Sequence, residues 1–235
     1  MARAKAPTQS AEALEDDGIP AWKQASVERS LQAARGRAQA RSDRFVAATL
    51  ALMNERGSTD FTVQDVVDRA KMSIRTFYNF FASKDDLLVA VHETILASEV
   101  TPRLRKACEE ESDPVKRVRV YIDAIFELTS DISPVYRALT TYSNRLAEAR
   151  PDELAHAFRP QIELVEQLVR DAAATGRLQN HLTVESAAHL LHHTVLTAVH
   201  NRVLGSEAGG HITAEELWTF CASGIGADPD TKSTR

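Results

Sequence analysis

Helix punctuation recurs along this chain so regularly that it leaves little room for any other regular structure. In "TVQDVVDRA", Thr62 is followed three residues later by Asp65 in the form of a capping box. Val63, Val66, Val67 and Ala70 then fall at i, i+3, i+4 and i+7. Ser73 can cap a short helix over Ile74 to Phe80, and Ser83 with Asp85 and Asp86 starts another that runs through Leu87, Leu88, Val91 and Ile95 to a kink or stop at Pro102. Before them, "RSDRFVAATLALMNERG" sets Phe45, Ala48, Thr49 and Leu52 on one stripe, with Gly57 as its stop. Beyond them the helical period continues over 114–130, 134–150, 151–175, 183–204 and 213–223. Proline or threonine stands at each of these starts, and Gly176, Gly205 and Gly224 follow three of the ends. No strand signal competes, so the expected fold class is all-α.

The ends of the chain lack this pattern. Residues 1–25 are polar, carry Pro7, Gly18 and Pro20, and are expected to form a disordered tail, as is the short segment 227–235. The remainder divides into 26–95, a small helical unit with a basic extension, and 96–226, a larger helical domain. Net charge is −5, yet 21–50 holds six Lys or Arg against two acids, which suits a protein with one anionic contact surface. No apolar run is long enough to span a bilayer and the N-terminus lacks a signal-like core, so a cytoplasmic protein without membrane association is expected. Cys108 and Cys221 stand far apart in helical stretches, which suggests neither a disulfide framework nor a cysteine zinc site.

Within the small unit, a helix of about nine residues, a turn at Ala70 to Met72 and a second short helix match a helix-turn-helix, whose second helix enters the DNA major groove. Phe77 and Phe81, four apart, can face inward and leave Ile74, Arg75, Tyr78 and Asn79 outward. Arg can take phosphate or guanine edges and Asn can read adenine. Thr and Tyr hydroxyls can bond phosphate, and Ile can pack on a thymine methyl. Lys84 lies at a helix N-terminus, where its charge and the free N–H groups can hold a phosphate.

The run "FTVQDVVDRAKMSIRTFYNFFASKDDLL" resembles the DNA-binding domain of the TetR family of bacterial transcriptional regulators, over about residues 40–95. By position, the resemblance implies phosphate contacts from Thr62, Thr76, Tyr78 and Lys84, and base-side contacts from Gln64, Ile74, Arg75 and Asn79, with Ser73 in the same DNA-binding set. Two positions depart from the family pattern: Lys71 stands where a turn glycine is common, and Ile74 where a polar reader often sits. Upstream, Arg35, Arg37 and Arg41 fit either an arm reaching the minor groove or phosphates, or a solvated helical extension without a DNA role.

The same resemblance implies that the larger domain binds a small molecule and dimerises. In "TVESAAHLLHHTVLTAVHNRVLG", Val184, Ala188, Leu191, Val195 and Ala198 form one stripe and Ala187, Leu190 and Thr194 a second beside it. A helix that wide needs partners on two sides, and with the helix at 213–223 it suits a four-helix bundle across a two-fold axis of a homodimer. Tyr121, Ile125, Phe126, Tyr136, Leu139, Tyr142, Phe158 and Ile162 are the candidate pocket residues, for a mainly apolar effector with one polar end. His189, His192, His193 and His200 lack a convincing further ligand on their face, so they are read as interface or solvent-edge residues, with no metal and no cofactor. No glycine-rich phosphate loop, H-E-x-x-H, nucleophile elbow or paired cysteines argue for an enzyme. The expected function is a ligand-responsive DNA-binding regulator, a repressor that leaves its operator when the effector binds; the alternative is a helical adaptor that binds only protein.

Overall fold

The computed structural model describes residues 20–128, 133–178, 182–205 and 212–227; the segments 1–19 and 228–235, and with them most of both expected tails, lie outside the described residues. Helix follows helix without a strand among the described residues: α1 (Ala21–Arg56), α2 (Val63–Ala70), α3 (Ile74–Tyr78), α4 (Lys84–Ile95), a π-helical turn (Leu96–Val100) and α5 (Thr101–Glu109). Then come α6 (Pro114–Leu128), α7 (Pro134–Ala149), α8 (Pro151–Ala174), α9 (Val184–Leu204) and α10 (Ala214–Ile225).

The starts are fixed by chemistry local to the chain. Thr62, Ser83 and Thr213 each accept a hydrogen bond from the backbone N–H three residues on, and the acidic side chains of Asp65, Asp86 and Glu216 reach back to complete three capping boxes. The Thr62 N–H and hydroxyl both donate to Asp65, whose carboxyl is held down to about 2, with the backbone N–H as the largest cause.

Some ends differ from expectation. α1 reaches back to Ala21, so 21–25 are helical rather than part of a disordered tail. α10 runs past Gly224 and stops at Gly226, because φ is +70° there and a residue without Cβ takes that conformation freely. α3 stops at Tyr78, two residues early, as Asn79 and Phe80 close it with i→i+3 bonds. Pro102 neither ends nor breaks the path from α4 to α5. It occupies the first turn of α5, where its missing N–H costs nothing, and the π turn ahead of it absorbs the change of register.

The chain divides into two compact units, and the division falls between Ser42 and Asp43, inside the span of α1. In the first, residues 22–41 are exposed apart from half-buried Ala25, including Trp22, Val27, Leu31 and the three arginines 35, 37 and 41; the conformation of this stretch is helical. The second unit starts at Asp43 and holds the core. There Phe45 meets Phe77 edge-on at 5.5 Å and Phe81 at 6.1 Å, which fixes α3 against α1. In the larger part α8 is the hub, touching α4 through α7 and α9, while α10 packs on α6 and α9.

Candidate functional site

Two sites emerge in the second unit. The first is the outer face of α2 and α3. Phe77 is fully buried, which turns Ile74, Arg75, Tyr78 and Asn79 outward; Ile74 is 46% and Tyr78 55% exposed, so both are open to a partner on this face. Thr62, Gln64 and Ser73 are exposed and Thr76 half-buried on the same helix pair. Several of these polar groups are tied locally. The Ser73 hydroxyl accepts from the Thr76 N–H, its oxygen lies 2.8 Å from that of Thr76, and the Gln64 amide donates to Asp68 at 2.7 Å.

The turn between α2 and α3 is made by Lys71 at φ 54° and ψ 48°, a left-handed conformation that disfavours any residue with Cβ. Its N–H closes on the carbonyls of Asp68 and Val67, so the strained residue ends α2 sharply and sets the angle to α3. Arg44 reaches across to the Ala70 carbonyl at 2.8 Å, and Arg69 pairs with Glu55. Lys84 is half-buried rather than free: its ammonium donates to the carbonyls of Thr59 and Phe61 at 3.0 and 3.1 Å and lies over the Phe61 ring. One of its three donors remains for an external anion.

The second site is a cavity of about 680 Å³ among α4, the π turn and α6 to α9. Of the eight expected pocket residues it is lined by five: Ile125, Tyr136, Leu139, Phe158 and Ile162. The other three are placed elsewhere. Phe126 is core, fully buried Tyr121 puts its hydroxyl 3.3 Å from His192 Nδ1, and Tyr142 turns its hydroxyl to Asp85, 3.1 Å from the carboxylate. Burial raises the Tyr121 and Tyr142 phenols above their ordinary range, and the Asp85 charge adds to that at Tyr142.

Residues absent from the sequence-based pocket carry much of its chemistry. His92, His189, His192, His193 and His200 all line the cavity; His192 is buried in its wall, which corrects the interface or solvent-edge reading there, while His193 is exposed and His189 and His200 are half-buried at its solvent edge. Gln161 lines it too, 99% buried on α8. His92 and His192 are each pushed down to about 4 by burial, and His200 is lowered by the same cause. A signal existed in the four α9 histidines at i, i+3, i+4 and i+11. Only the packing of α8 on α9 decides that this face looks into a void. Among the described residues no group of three or more His, Cys, Asp or Glu is arranged to hold a metal ion. Both cysteines are buried, and burial raises their thiols, to about 12 at Cys108 and about 11 at Cys221.

The two sites are joined by side chains. Tyr142 of α7 bonds Asp85, and Arg150, at the α7–α8 junction, reaches Asp86 at 2.7 Å while also pairing with Glu153. Both acids stand in the first turn of α4. The opposite end of α4 contributes His92 and Ile95 to the cavity wall.

The sequence model of the bacterial regulatory proteins of the tetR family matches residues 45–91. The chain is similar to the uncharacterised HTH-type transcriptional regulator YvdT of Bacillus subtilis, 19% identical over 78% of this chain and 94% of YvdT. It is also similar to the HTH-type transcriptional regulator BetI of Burkholderia cenocepacia, 27% identical over 52% of this chain, a match that spans 63% of BetI's own length. In fold it is similar to RolR in complex with resorcinol, at a TM-score of 0.65 and 16% identity over 86% of this chain and 98% of RolR.

Proposed function

The chain belongs to the TetR family of bacterial regulatory proteins, and from that premise we propose that this ligand-responsive DNA-binding regulator is a repressor whose cavity ligand releases it from its operator. The observation that carries the DNA-binding surface is the outward face of α3. Arg75 and Asn79 stand toward base edges, with Ile74 available to a thymine methyl. Thr62, Thr76, Tyr78 and the remaining Lys84 donor face phosphates, and Gln64 and Ser73 flank them. Arg35, Arg37 and Arg41 are exposed on a helical stretch and supply charge for phosphate contacts of their own.

The active species is a homodimer joined through α9 and α10. Leu190 on α9 and Phe220 on α10 are 58% and 68% exposed, on helices whose opposite faces are already buried in the core. Covering them with a second copy across a two-fold axis makes a four-helix interface. Two reading helices about 34–36 Å apart then meet successive major grooves of a near-palindromic site. The effector is a small, mainly apolar molecule, since the lining is mostly aliphatic and holds no Asp, Glu, Lys or Arg.

The test is selection of a preferred duplex from a random pool, followed by anisotropy titration over a range of salt for the full-length protein and for Arg75→Ala. Salt-dependent binding with a preferred, near-palindromic site is expected. No salt-dependent binding to any duplex would overturn the reading in favour of a helical adaptor that binds only protein.

A further inference from the structure

The cavity contains buried polar atoms that no part of the chain satisfies. His92 Nδ1, His192 Nε2, Gln161 Oε1 and the Tyr136 hydroxyl are each buried without a hydrogen-bond partner, and all four residues line the same space. Buried polar groups are nearly always paired, because an orphan costs about 1–3 kcal/mol. Four around one cavity are therefore a description of what belongs inside it.

His92 and His192 flank one ring, and Gln161 lies on the same helix as that ring. Phe158 packs edge-on against His92 at 5.4 Å and against His192 at 5.7 Å, and Gln161 follows one turn later on the same face of α8. The tautomer of His192 follows from its partner. His192 Nδ1 is the one hydrogen-bond partner of the fully buried Tyr121 hydroxyl among the described residues, so the arrangement that pairs the phenol proton is the one in which the phenol donates to Nδ1, which assigns the ring proton to Nε2. The site thus offers a donor at His192 Nε2 and a pure acceptor at Gln161 Oε1.

We propose that the cavity takes an uncharged ligand through a hydroxyl group that accepts from His192 and donates to Gln161, with the Tyr136 hydroxyl and His92 available to a second polar group. This rests on the reading of the cavity as the effector site. A carbonyl or ether oxygen accepts but cannot donate, which leaves Gln161 Oε1 unpaired; a hydroxyl satisfies both partners. A charged group fails for a different reason. No Asp, Glu, Lys or Arg lines the cavity, and an ion buried between His92, His192 and Gln161 loses its hydration with no such partner in return. The buried histidines, held neutral by desolvation, do not supply that charge at neutral pH.

Three probes of one shape separate these demands: biphenyl-4-ol, 4-methylbiphenyl and biphenyl-4-carboxylate, titrated calorimetrically into the full-length protein. The hydroxyl compound should bind at least about tenfold tighter than the methyl compound, and the carboxylate should bind weakest. Gln161→Leu and His192→Leu should each reduce the hydroxyl preference to about threefold or less while methyl binding holds or improves. Gln161→Met serves where the Leu variant does not fold by circular dichroism. Equal binding of hydroxyl and methyl compounds, tightest binding by the carboxylate, no binding of the hydroxyl compound at its solubility limit, or a preference that survives both substitutions would overturn the proposal. Anisotropy with the selected duplex keeps the two readings apart. Selective hydroxyl binding without DNA release removes the effector role and leaves the site, whereas release by the methyl compound or carboxylate alone removes the hydroxyl site and leaves the effector role.

Discussion

Lowering the pH from 7 to 5 should destabilise this protein through two residues of the cavity wall. His92 and His192 are buried, and each is pushed from 6.5 to about 4 by desolvation, with His193 and His189 adding repulsion at His192. The unfolded chain binds a proton at each near pH 6.5, whereas the folded chain does so only near pH 4. Between those values the unfolded state holds more protons, so stability is present above 6.5 and lost as pH falls toward 4. Two and a half units amount to roughly 3 kcal/mol per histidine at the acid limit, of which about 2 kcal/mol is lost by pH 5. The assay is urea unfolding at pH 7 and pH 5, at one fixed protein concentration because dimerisation adds to apparent stability. Wild type should lose roughly 4 kcal/mol from these two groups, and His92→Gln or His192→Gln should each shrink the pH-dependent loss by about 2 kcal/mol. Asp65, held near 2, changes its contribution only below about pH 4, outside this window. A loss in both variants equal to wild type, or imidazole C2–H signals of these residues titrating near 6.5, would refute neutral burial and with it the uncharged character of the cavity.

Further outcomes follow from the geometry. Arg75→Ala should cost about 1–3 kcal/mol on the preferred duplex and relax preference at one base pair, while Lys84→Ala should weaken all sequences and lower the salt slope by about one unit; an unchanged slope would remove the phosphate role of Lys84. Lys71→Gly should stabilise the fold by about 1 kcal/mol, since φ is 54° there, and a lower urea midpoint would show that the turn is unstrained. Phe220→Glu should yield a monomer by sedimentation at micromolar concentration with the helical spectrum intact, and a persistent dimer would place the interface elsewhere. A double-mutant cycle of Arg150→Ala and Asp86→Ala should give a coupling of about 0.5–1 kcal/mol for this partly exposed pair, and a value indistinguishable from zero would dissolve the tie.

What could be read from the sequence was whatever the chain decides within a few residues. Thr62 with Asp65, Ser83 with Asp86 and Thr213 with Glu216 settle helix starts at a separation of three, and the alternation around Phe77 settles which side of α3 faces out. The cavity is decided at long range. Tyr121, Ile125 and Phe126 occupy one buried face of α6, yet only Ile125 borders empty space, because Tyr121 meets His192 from 71 residues away. Tyr142 likewise meets Asp85 across 57 positions, so nothing in its own stretch of sequence tells a joint from a pocket. Lys84 shows the same limit in the other site, since its partners Thr59 and Phe61 lie in a preceding loop.

The tie between α4 and the α7–α8 junction gives this helix the mechanics of a beam held at both ends. Asp85 and Asp86 anchor one end, and His92 and Ile95 rest against the cavity at the other. From Lys84 to Ile95 the beam is about 16 Å long at 1.5 Å per residue. A cavity occupant that moves the Ile95 end sideways by about 1 Å tilts the beam by about 3.5°. In the homodimer proposed above the tilt applies in both copies at once, so the separation of the two α3 helices would change by twice the travel of either. Small strokes in the cavity therefore suffice, and stiffness of α4 becomes the quantity that sets how much of each stroke arrives.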